Sequence, residues 1–199
     1  MSNVVDYFMM PMSPWTYFGH DRFVALATKH DATVNVKPID LGRVFSVSGG
    51  LPLKQRAAQR QEYRLHELDR WSKFLGVPIN VTPKFVGTPP AAANRWIIAA
   101  QSQGTPAALK LAGALLRAYW AEERDISDEA TLAAVAAEQG LHAGDLATAA
   151  AGPEAAARLE ALTQEAIDRR VFGVPWYVLD GEPFWGQDRL DFLARKLAK

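Results

Sequence analysis

Runs of β-branched and aromatic residues occur near the two ends of this 199-residue chain and are missing from its long middle. Residues 4–8 and 33–37 have the pattern of strands, and the pattern returns at 176–185. Ala, Leu, Arg and Glu, which favour helices, dominate from about residue 53 to about residue 169. A sheet that uses all of these strands must therefore bring both ends of the chain together around a helical insertion.

We accordingly predict an α/β fold in which a sheet domain is interrupted by an all-helical domain. The sheet domain comprises residues 1–45 and 168–199, and the inserted domain comprises residues 46–167. Stretches of helix-forming residues bounded by Gly and Pro predict helices over 14–29, 53–75, 91–101, 106–121, 128–139, 143–150, 153–170 and 189–197.

The absence of cysteine narrows the chemistry of the chain more than any other feature of its composition. It excludes a disulfide framework, a thiolate metal site and redox cycling by the protein's own thiols. The 22 basic and 22 acidic residues cancel, so no net field attracts nucleic acid. The chain has no apolar run of membrane-spanning length, no signal-like leader and no metal-binding spacing of histidines. We therefore expect a cytoplasmic protein without a metal, nucleic-acid or membrane partner.

The junction between the first strand and the first helix has the residues of a well-formed helix start. Ser13 is a favourable N-cap, and Pro14 suits the first helical position because its missing N–H has no intrahelical role there. A helix start also carries free N–H groups and partial positive charge, which stabilise an anion. Ser13 on its own therefore fits a purely structural cap as well as an anion-binding site.

The C-terminal part of the chain predicts a hairpin followed by a helix. Asp180-Gly181 is a strong turn signal between residues 176–179 and 182–185. The final helix, 189–197, has apolar residues that we expect to face a core: Leu190, Phe192, Leu193 and Leu197. A β-α-β start with a hairpin and a helix at the end is the order of a thioredoxin-type domain.

Three motifs in order make this similarity specific: Ser-Pro-Trp-Thr-Tyr at 13–17, Gly-Val-Pro at 173–175 and Phe-Trp-Gly-Gln-Asp-Arg-Leu at 184–190. With them the chain resembles the 2-hydroxychromene-2-carboxylate isomerase family, which is allied to the kappa-class glutathione transferases and more distantly to DsbA-type oxidoreductases. The resemblance covers nearly the whole chain, including the insertion. It implies a thioredoxin-like fold of the DsbA and kappa type, glutathione as cofactor and a homodimer.

The resemblance also implies roles at the first two motifs. Ser13 is expected to donate its hydroxyl proton to the glutathione sulfur and hold it as a reactive thiolate. Pro175, taken by itself, fits the start of a strand. The resemblance implies that the peptide bond before it is cis. Val174 would then pair its main-chain N–H and C=O with the extended glutathione peptide, as an added strand does.

Three further residues are expected to bind the two ends of glutathione. The resemblance assigns Gln187 and Asp188 to the γ-glutamyl end, whereas the residues alone fit a cap of the last helix equally well. It aligns Arg60 with a basic residue that binds the glycine carboxylate in the kappa relatives. The charges around Arg60 also fit an ordinary solvated helix face.

Trp15, Tyr17 and Trp185 are expected to line a pocket for a small aromatic electrophile, although aromatic residues commonly form core instead. The resemblance implies isomerisation of 2-hydroxychromene-2-carboxylate, a step in aromatic catabolism, through reversible thiolate addition to a conjugated double bond. A kappa-like glutathione transferase that releases a conjugate is the first alternative. A thioredoxin-fold module that binds peptides without catalysis is the second.

Overall fold

The computed structural model describes residues 3–198, in which four strands form a single mixed sheet with the order β2-β1-β3-β4. The first strand is parallel to the second and antiparallel to the third, and the third is antiparallel to the fourth. The two ends of the chain therefore meet in one sheet, as predicted. The strands are β1 (Val4–Met9), β2 (Thr33–Pro38), β3 (Trp176–Leu179) and β4 (Glu182–Trp185).

Helices connect and cover these strands, and most of them lie between β2 and β3. The α/β fold with a helical insertion is thereby confirmed, while the domain division at residues 45 and 168 stays a prediction. The helices are α1 (Pro14–Lys29), α2 (Leu41–Ser48), α3 (Ala58–Leu75), α4 (Ala91–Ala100), α5 (Thr105–Trp120), α6 (Glu129–Glu138), α7 (Ala143–Ala151), α8 (Pro153–Asp168) and α9 (Leu190–Leu197), with 3-10 turns at Leu53–Gln55, Gln101–Gln103 and Gln187–Arg189.

Helix α2 has no counterpart among the predicted helices. Asp40 caps it, since its Oδ1 accepts hydrogen bonds from the main-chain N–H groups of Gly42 at 2.9 Å and Arg43 at 3.3 Å. The helix ends at Gly49, which adopts a left-handed φ of 76°. Gly and β-branched residues in this segment favour helix weakly, so the cap and the burial of Val44 determine the structure.

The sheet is buried on both faces because successive side chains of each strand point to opposite sides. Tyr7 packs with Phe23 of α1 and Tyr177 of β3 on one face, where the Tyr7 and Tyr177 rings stack at 5.3 Å between centroids. On the other face, Phe8 and Trp176 pack in the same cluster as residues of α8. Helix α1 therefore lies on the sheet with its N-terminal end near the loop that leads into β3.

Helix α9 buries Leu190, Leu193 and Leu197, as predicted. The prediction is wrong for Phe192, which is 52% exposed, because it lies about 200° around the helix from Leu190. On that exposed side, the guanidinium of Arg195 lies 5.7 Å from the centre of the Phe192 ring. No helix within residues 3–198 is both long and apolar enough to cross a membrane.

Candidate active site

Ser13 is the N-cap of α1, as the sequence predicts. Its Oγ accepts a hydrogen bond from the main-chain N–H of Thr16 at 3.2 Å, and Pro14 occupies the first helical position. The Ser13 side chain is buried with 4% of the residue exposed. The helix dipole places partial positive charge at this hydroxyl, so an anion that reaches it is stabilised.

The loop before β3 brings Val174 and Pro175 to the same place. The Val174-Pro175 peptide bond is cis, in agreement with the thioredoxin resemblance. The Ser13 hydroxyl donates to the Val174 carbonyl oxygen at 3.3 Å, across 161 residues of sequence. In residues 3–198 neither the N–H of Val174 nor that of Trp15 donates to a protein acceptor. The site thus combines a hydroxyl with two main-chain donors that are free for a ligand.

Gln187 is held against α1 beside this loop. The Pro175 carbonyl accepts from the Gly186 N–H at 2.9 Å, which joins the cis bond to the segment before α9. Arg22 then donates to the Gln187 side-chain oxygen at 2.6 Å and to its main-chain oxygen at 3.3 Å. A Cβ on Gly19 would lie 2.9 Å from that of Gln187, so a glycine is needed for this close approach. Gln187 is therefore buried, and its amide oxygen already has a partner.

Asp188 differs from Gln187 in that its side chain is exposed. Its Oδ2 accepts a hydrogen bond from Arg189 at 2.7 Å. Neither Gln187 nor Asp188 caps α9 through its side chain. Gly186 precedes it with a φ of 103°, and a Cβ there would lie 2.5 Å from Asp188 Oδ1. The carboxylate therefore lies directly beside the main chain that follows β4, where a ligand's ammonium group can reach it.

Trp185 lies beside Gly173, on the sheet face that carries Trp176 and not on the face covered by α1. Its ring meets the ring of Phe172 edge-on at 4.6 Å between centroids, and the residue is 51% exposed. A Cβ on Gly173 would come within 2.7 Å of the Trp185 Nε1, so the indole rests on the main chain at this glycine. The structure therefore places an open aromatic face against the main chain at Gly173, the residue before Val174.

Trp15 and Tyr17 extend the site along the first turns of α1. Both are half-buried, and the Trp15 ring contacts Phe18 at 6.3 Å between centroids. The Tyr17 hydroxyl donates to the Pro78 carbonyl at 2.7 Å, which ties α1 to the segment after α3. Burial raises the pKa of Tyr17, so its hydroxyl stays protonated at neutral pH and keeps this bond.

Arg60 stands apart from the other predicted site residues. It is exposed on the first turns of α3, and it forms neither an ion pair nor a side-chain hydrogen bond within the part of the chain that the structure describes. Helix α3 packs against α1, so Arg60 is carried on an element that borders the site. Its guanidinium is free to receive a carboxylate, and its role stays a prediction.

Sequence reasoning missed Thr16 and Arg22. The Thr16 hydroxyl is fully buried one turn after Ser13 and has no hydrogen-bond partner in residues 3–198. Its spacing of three from the N-cap was a signal, since that position commonly reciprocates a cap. Arg22 was one arginine among many, and its contact with Gln187 joins positions 165 residues apart, which no local pattern reveals.

The model of the family described as "DSBA-like thioredoxin domain" matches residues 4–198, so the chain belongs to this family. Among curated proteins, it is 26% identical to a 2-hydroxychromene-2-carboxylate isomerase from Sphingobium xenophagum over 99% of both chains. It is also 26% identical to glutathione S-transferase kappa 2 from Caenorhabditis elegans, over 96% of this chain and 92% of the relative.

A solved structure of a 2-hydroxychromene-2-carboxylate isomerase superposes with a TM-score of 0.82 at 26% identity, covering 98% of this chain and 94% of the other. The resemblance that the motifs indicated is thereby confirmed. The relatives carry the names of an isomerase and a transferase, which supports an enzyme of this type. No group of three His, Asp or Glu side chains within residues 3–198 could hold a metal ion.

Proposed function

We propose that this protein is a glutathione-dependent isomerase of a 2-hydroxychromene-2-carboxylate or benzylidenepyruvate-type substrate. The observation that carries the proposal is the 3.3 Å contact between the Ser13 hydroxyl, at the positive end of α1, and the Val174 carbonyl. This arrangement presents one hydroxyl and free main-chain groups to a peptide that brings its own sulfur. The named isomerase relatives, similar over nearly their whole length, support the choice of reaction.

Glutathione binds in this proposal as an extended peptide along the loop before β3. The N–H and C=O of Val174 pair with its cysteine residue, as with an added strand. The Asp188 carboxylate binds the γ-glutamyl ammonium. Gln187 fixes the main chain next to Asp188, because its side-chain oxygen accepts a hydrogen bond from Arg22. Arg60, which lies on α3, pairs with the glycine carboxylate of glutathione. Each end of the peptide thus meets a group of opposite charge.

The Ser13 hydroxyl changes its acceptor when glutathione binds. Without ligand it donates to Val174, and its oxygen accepts from Thr16. With ligand, the peptide N–H takes over the Val174 carbonyl, and the Ser13 hydroxyl turns to donate to the sulfur. The N–H of Trp15 and the helix dipole add to this stabilisation, so the pKa of the bound thiol falls.

The bound thiolate then acts as a nucleophilic catalyst. Once the chromene ring opens, the substrate is an aromatic α-keto acid with a conjugated double bond. The thiolate forms a C–S bond at the β-carbon, and the π electron pair moves onto the keto acid as an enolate. Rotation follows about the former double bond. The enolate then re-forms the double bond and expels the thiolate, so glutathione is regenerated.

The aromatic part of the substrate is assigned to Trp15, Tyr17 and Trp185. Trp185 offers an exposed indole face beside Gly173, and the other two lie on the first turns of α1. Planar aromatic ligands gain stacking energy on such faces. We further propose that the protein is a cytoplasmic homodimer, which sedimentation analysis and cell fractionation would test.

Two measurements test the proposed function together. Calorimetry should detect glutathione binding, and 2-hydroxychromene-2-carboxylate should convert to the trans-benzylidenepyruvate when glutathione is present. S-methylglutathione, which keeps the peptide but lacks a free thiol, is the matched control and should bind without supporting conversion. Conversion at equal rate with the methylated peptide, or no binding of either peptide, would contradict the proposal.

A kappa-like transferase is the second candidate because a relative carries that name over most of the chain. In a transferase the C–S bond persists and the conjugate leaves. Isotope-labelled glutathione distinguishes the two reactions, since an isomerase returns the label to free glutathione whereas a transferase releases it within the product.

A further inference from the structure

An arginine occupies an inward position of α3. Along this helix the less exposed residues recur at the spacing that faces a protein body, and Arg64 is among them: Gln61, Arg64, Glu67, Leu68, Trp71, Ser72 and Leu75. Leu68, one turn further on, is fully buried. A guanidinium at such a position loses hydration, so it is expected to have a partner.

The partner that Arg64 does have is an aromatic ring. Its guanidinium lies 5.8 Å from the ring of Trp120, at the end of α5. Trp120 is only 3% exposed, and its Nε1–H is buried without an acceptor in residues 3–198. Buried indole N–H groups normally have one. The Arg64 guanidinium therefore lies against the ring of an indole whose own N–H has no acceptor in residues 3–198.

Arg56 adds a second positive charge to this place. Its Nε donates to the Leu51 carbonyl at 2.8 Å, which leaves its terminal N–H groups free. Burial, and after it the charge of Arg56, lower the pKa of Arg64, so the two guanidinium groups repel each other. Neither forms an ion pair with an acidic side chain among the described residues, and Glu67, one turn from Arg64, pairs with Arg70 instead.

A short segment joins this place to the start of α1. Tyr17 donates to the carbonyl of Pro78, and two residues later the N–H of Asn80 donates to the carbonyl of Trp120, both at 2.7 Å. The Arg64 and Trp120 donors therefore lie across one short connection from the helix that begins at Ser13.

We propose that Arg64, Arg56 and the Trp120 Nε1–H bind the carboxylate of the electrophilic substrate. A guanidinium fork and one further N–H match a planar carboxylate, whose two oxygens accept several hydrogen bonds. This inference rests on the proposed function, because it assigns the second substrate a carboxylate and a position. It makes Arg64 a specificity-determining residue in the helical region, separate from the groups that bind glutathione.

Binding of trans-cinnamate to the intact protein, measured by calorimetry without glutathione, tests the site directly. Cinnamate carries an aromatic ring and a carboxylate, and cinnamide is its neutral counterpart. Wild-type protein should bind cinnamate and bind cinnamide about tenfold more weakly or not at all. Arg64→Met and Arg56→Met should each weaken cinnamate binding by about tenfold or more and abolish this preference. Lys73→Met, an exposed change on the same helix, should leave it unchanged.

Glutathione titrations of the same variants separate this inference from the proposed function. If cinnamate binding depends on Arg64 while glutathione does not bind, the carboxylate site stands and the proposed function fails. If glutathione binds but cinnamate does not, or cinnamide binds equally well, the carboxylate site is refuted. Equal weakening by Lys73→Met would also refute it, and the half-exposed Arg56 provides a readout should Arg64→Met fail to fold.

Discussion

The start of α1 and the inward face of α3 differ in whether their polar groups have hydrogen-bond partners within the protein. Ser13 and Val174 satisfy each other, since the hydroxyl donates to the carbonyl while it also caps the helix. Arg64 and the Trp120 indole keep buried or half-buried donors without acceptors in the described chain. In the first region the polar groups already pair with each other, and a ligand would replace one of those partners. In the second region the donors lack acceptors, which a ligand would have to supply.

This difference predicts that changes in the first region affect chemistry and stability, and changes in the second affect binding of an acid. Ser13→Ala should show the largest effect. Turnover of 2-hydroxychromene-2-carboxylate should fall on the order of a hundredfold, the usual loss when one donor to a reacting anion is removed. Steady-state kinetics at saturating glutathione measures this.

Asp128→Ala is the control for the structural part of the Ser13 change. Asp128 caps α6 by accepting from the N–H of Thr131 at 2.9 Å, as Ser13 caps α1, but it lies outside the candidate site. Its removal should leave turnover unchanged. A similar loss of turnover in both variants would reduce Ser13 to a helix cap and break the comparison.

Gly19→Ala should give the next largest effect, on stability. The new Cβ would meet the Gln187 Cβ at 2.9 Å and the Tyr177 hydroxyl at 3.0 Å in a closely packed region. Overpacking of this kind costs about 1–3 kcal/mol of unfolding free energy. Gly144→Ala is the matched control, because nothing lies within 4 Å of its Cβ position. Denaturant unfolding that finds both variants as stable as wild type would contradict this packing.

Arg64→Met should change stability in the opposite sense. The substitution keeps an unbranched side chain against Trp120 and removes a half-buried charge that has no acidic partner in the described chain. Removing such a charge is neutral or stabilising, so the unfolding free energy should rise or stay within about 0.5 kcal/mol. A loss above about 2 kcal/mol would mean that Arg64 has a structural partner and that the contrast between the regions is wrong.

The smallest effect concerns His20, in the middle of α1. Its Nε2–H donates to the Leu109 carbonyl at 3.0 Å, so its Nδ1 accepts from the Tyr7 hydroxyl at 3.1 Å. Burial lowers the pKa of His20 below its ordinary value. Below about pH 6.5 the unfolded chain therefore binds a proton that the folded chain does not, and stability falls as the pH falls.

His20→Asn should remove this dependence. The slope of unfolding free energy against pH, measured from about pH 5 to about pH 6.5, should decrease by up to about 1.4 kcal/mol per pH unit. An unchanged slope in the His20 variant would show that this histidine binds its proton equally well in the folded and the unfolded protein.

The features that sequence predicted are those with local causes. A Ser-Pro pair sets a helix start, Asp180-Gly181 sets a hairpin, and alternating side chains set the strands. These signals act over a few residues, so they survive without knowledge of the fold. The short helix α2 was missed because its cap and buried Val44 outweigh a composition that favours helix weakly.

The features that sequence did not predict depend on packing between distant segments. Arg22 and Gln187 meet only because α1 and the segment before α9 lie on the same side of the sheet. Arg64 belongs to a charged run that fits a solvated face, and only its burial and its contact with Trp120 distinguish it from Arg60. The inward prediction for Phe192 fails because a spacing of two from Leu190 places it on the opposite side of the helix.

The state of the glutathione sulfur tests the central claim most directly. Ultraviolet absorbance of the thiolate, followed against pH with glutathione bound, reports its ionisation. We predict that wild-type protein shifts this titration downward by about one pH unit or more, as helix starts do for thiols, and that Ser13→Ala loses most of the shift while Asp128→Ala keeps it. A bound thiol that titrates like free glutathione, or an equal shift in Ser13→Ala, would contradict the account.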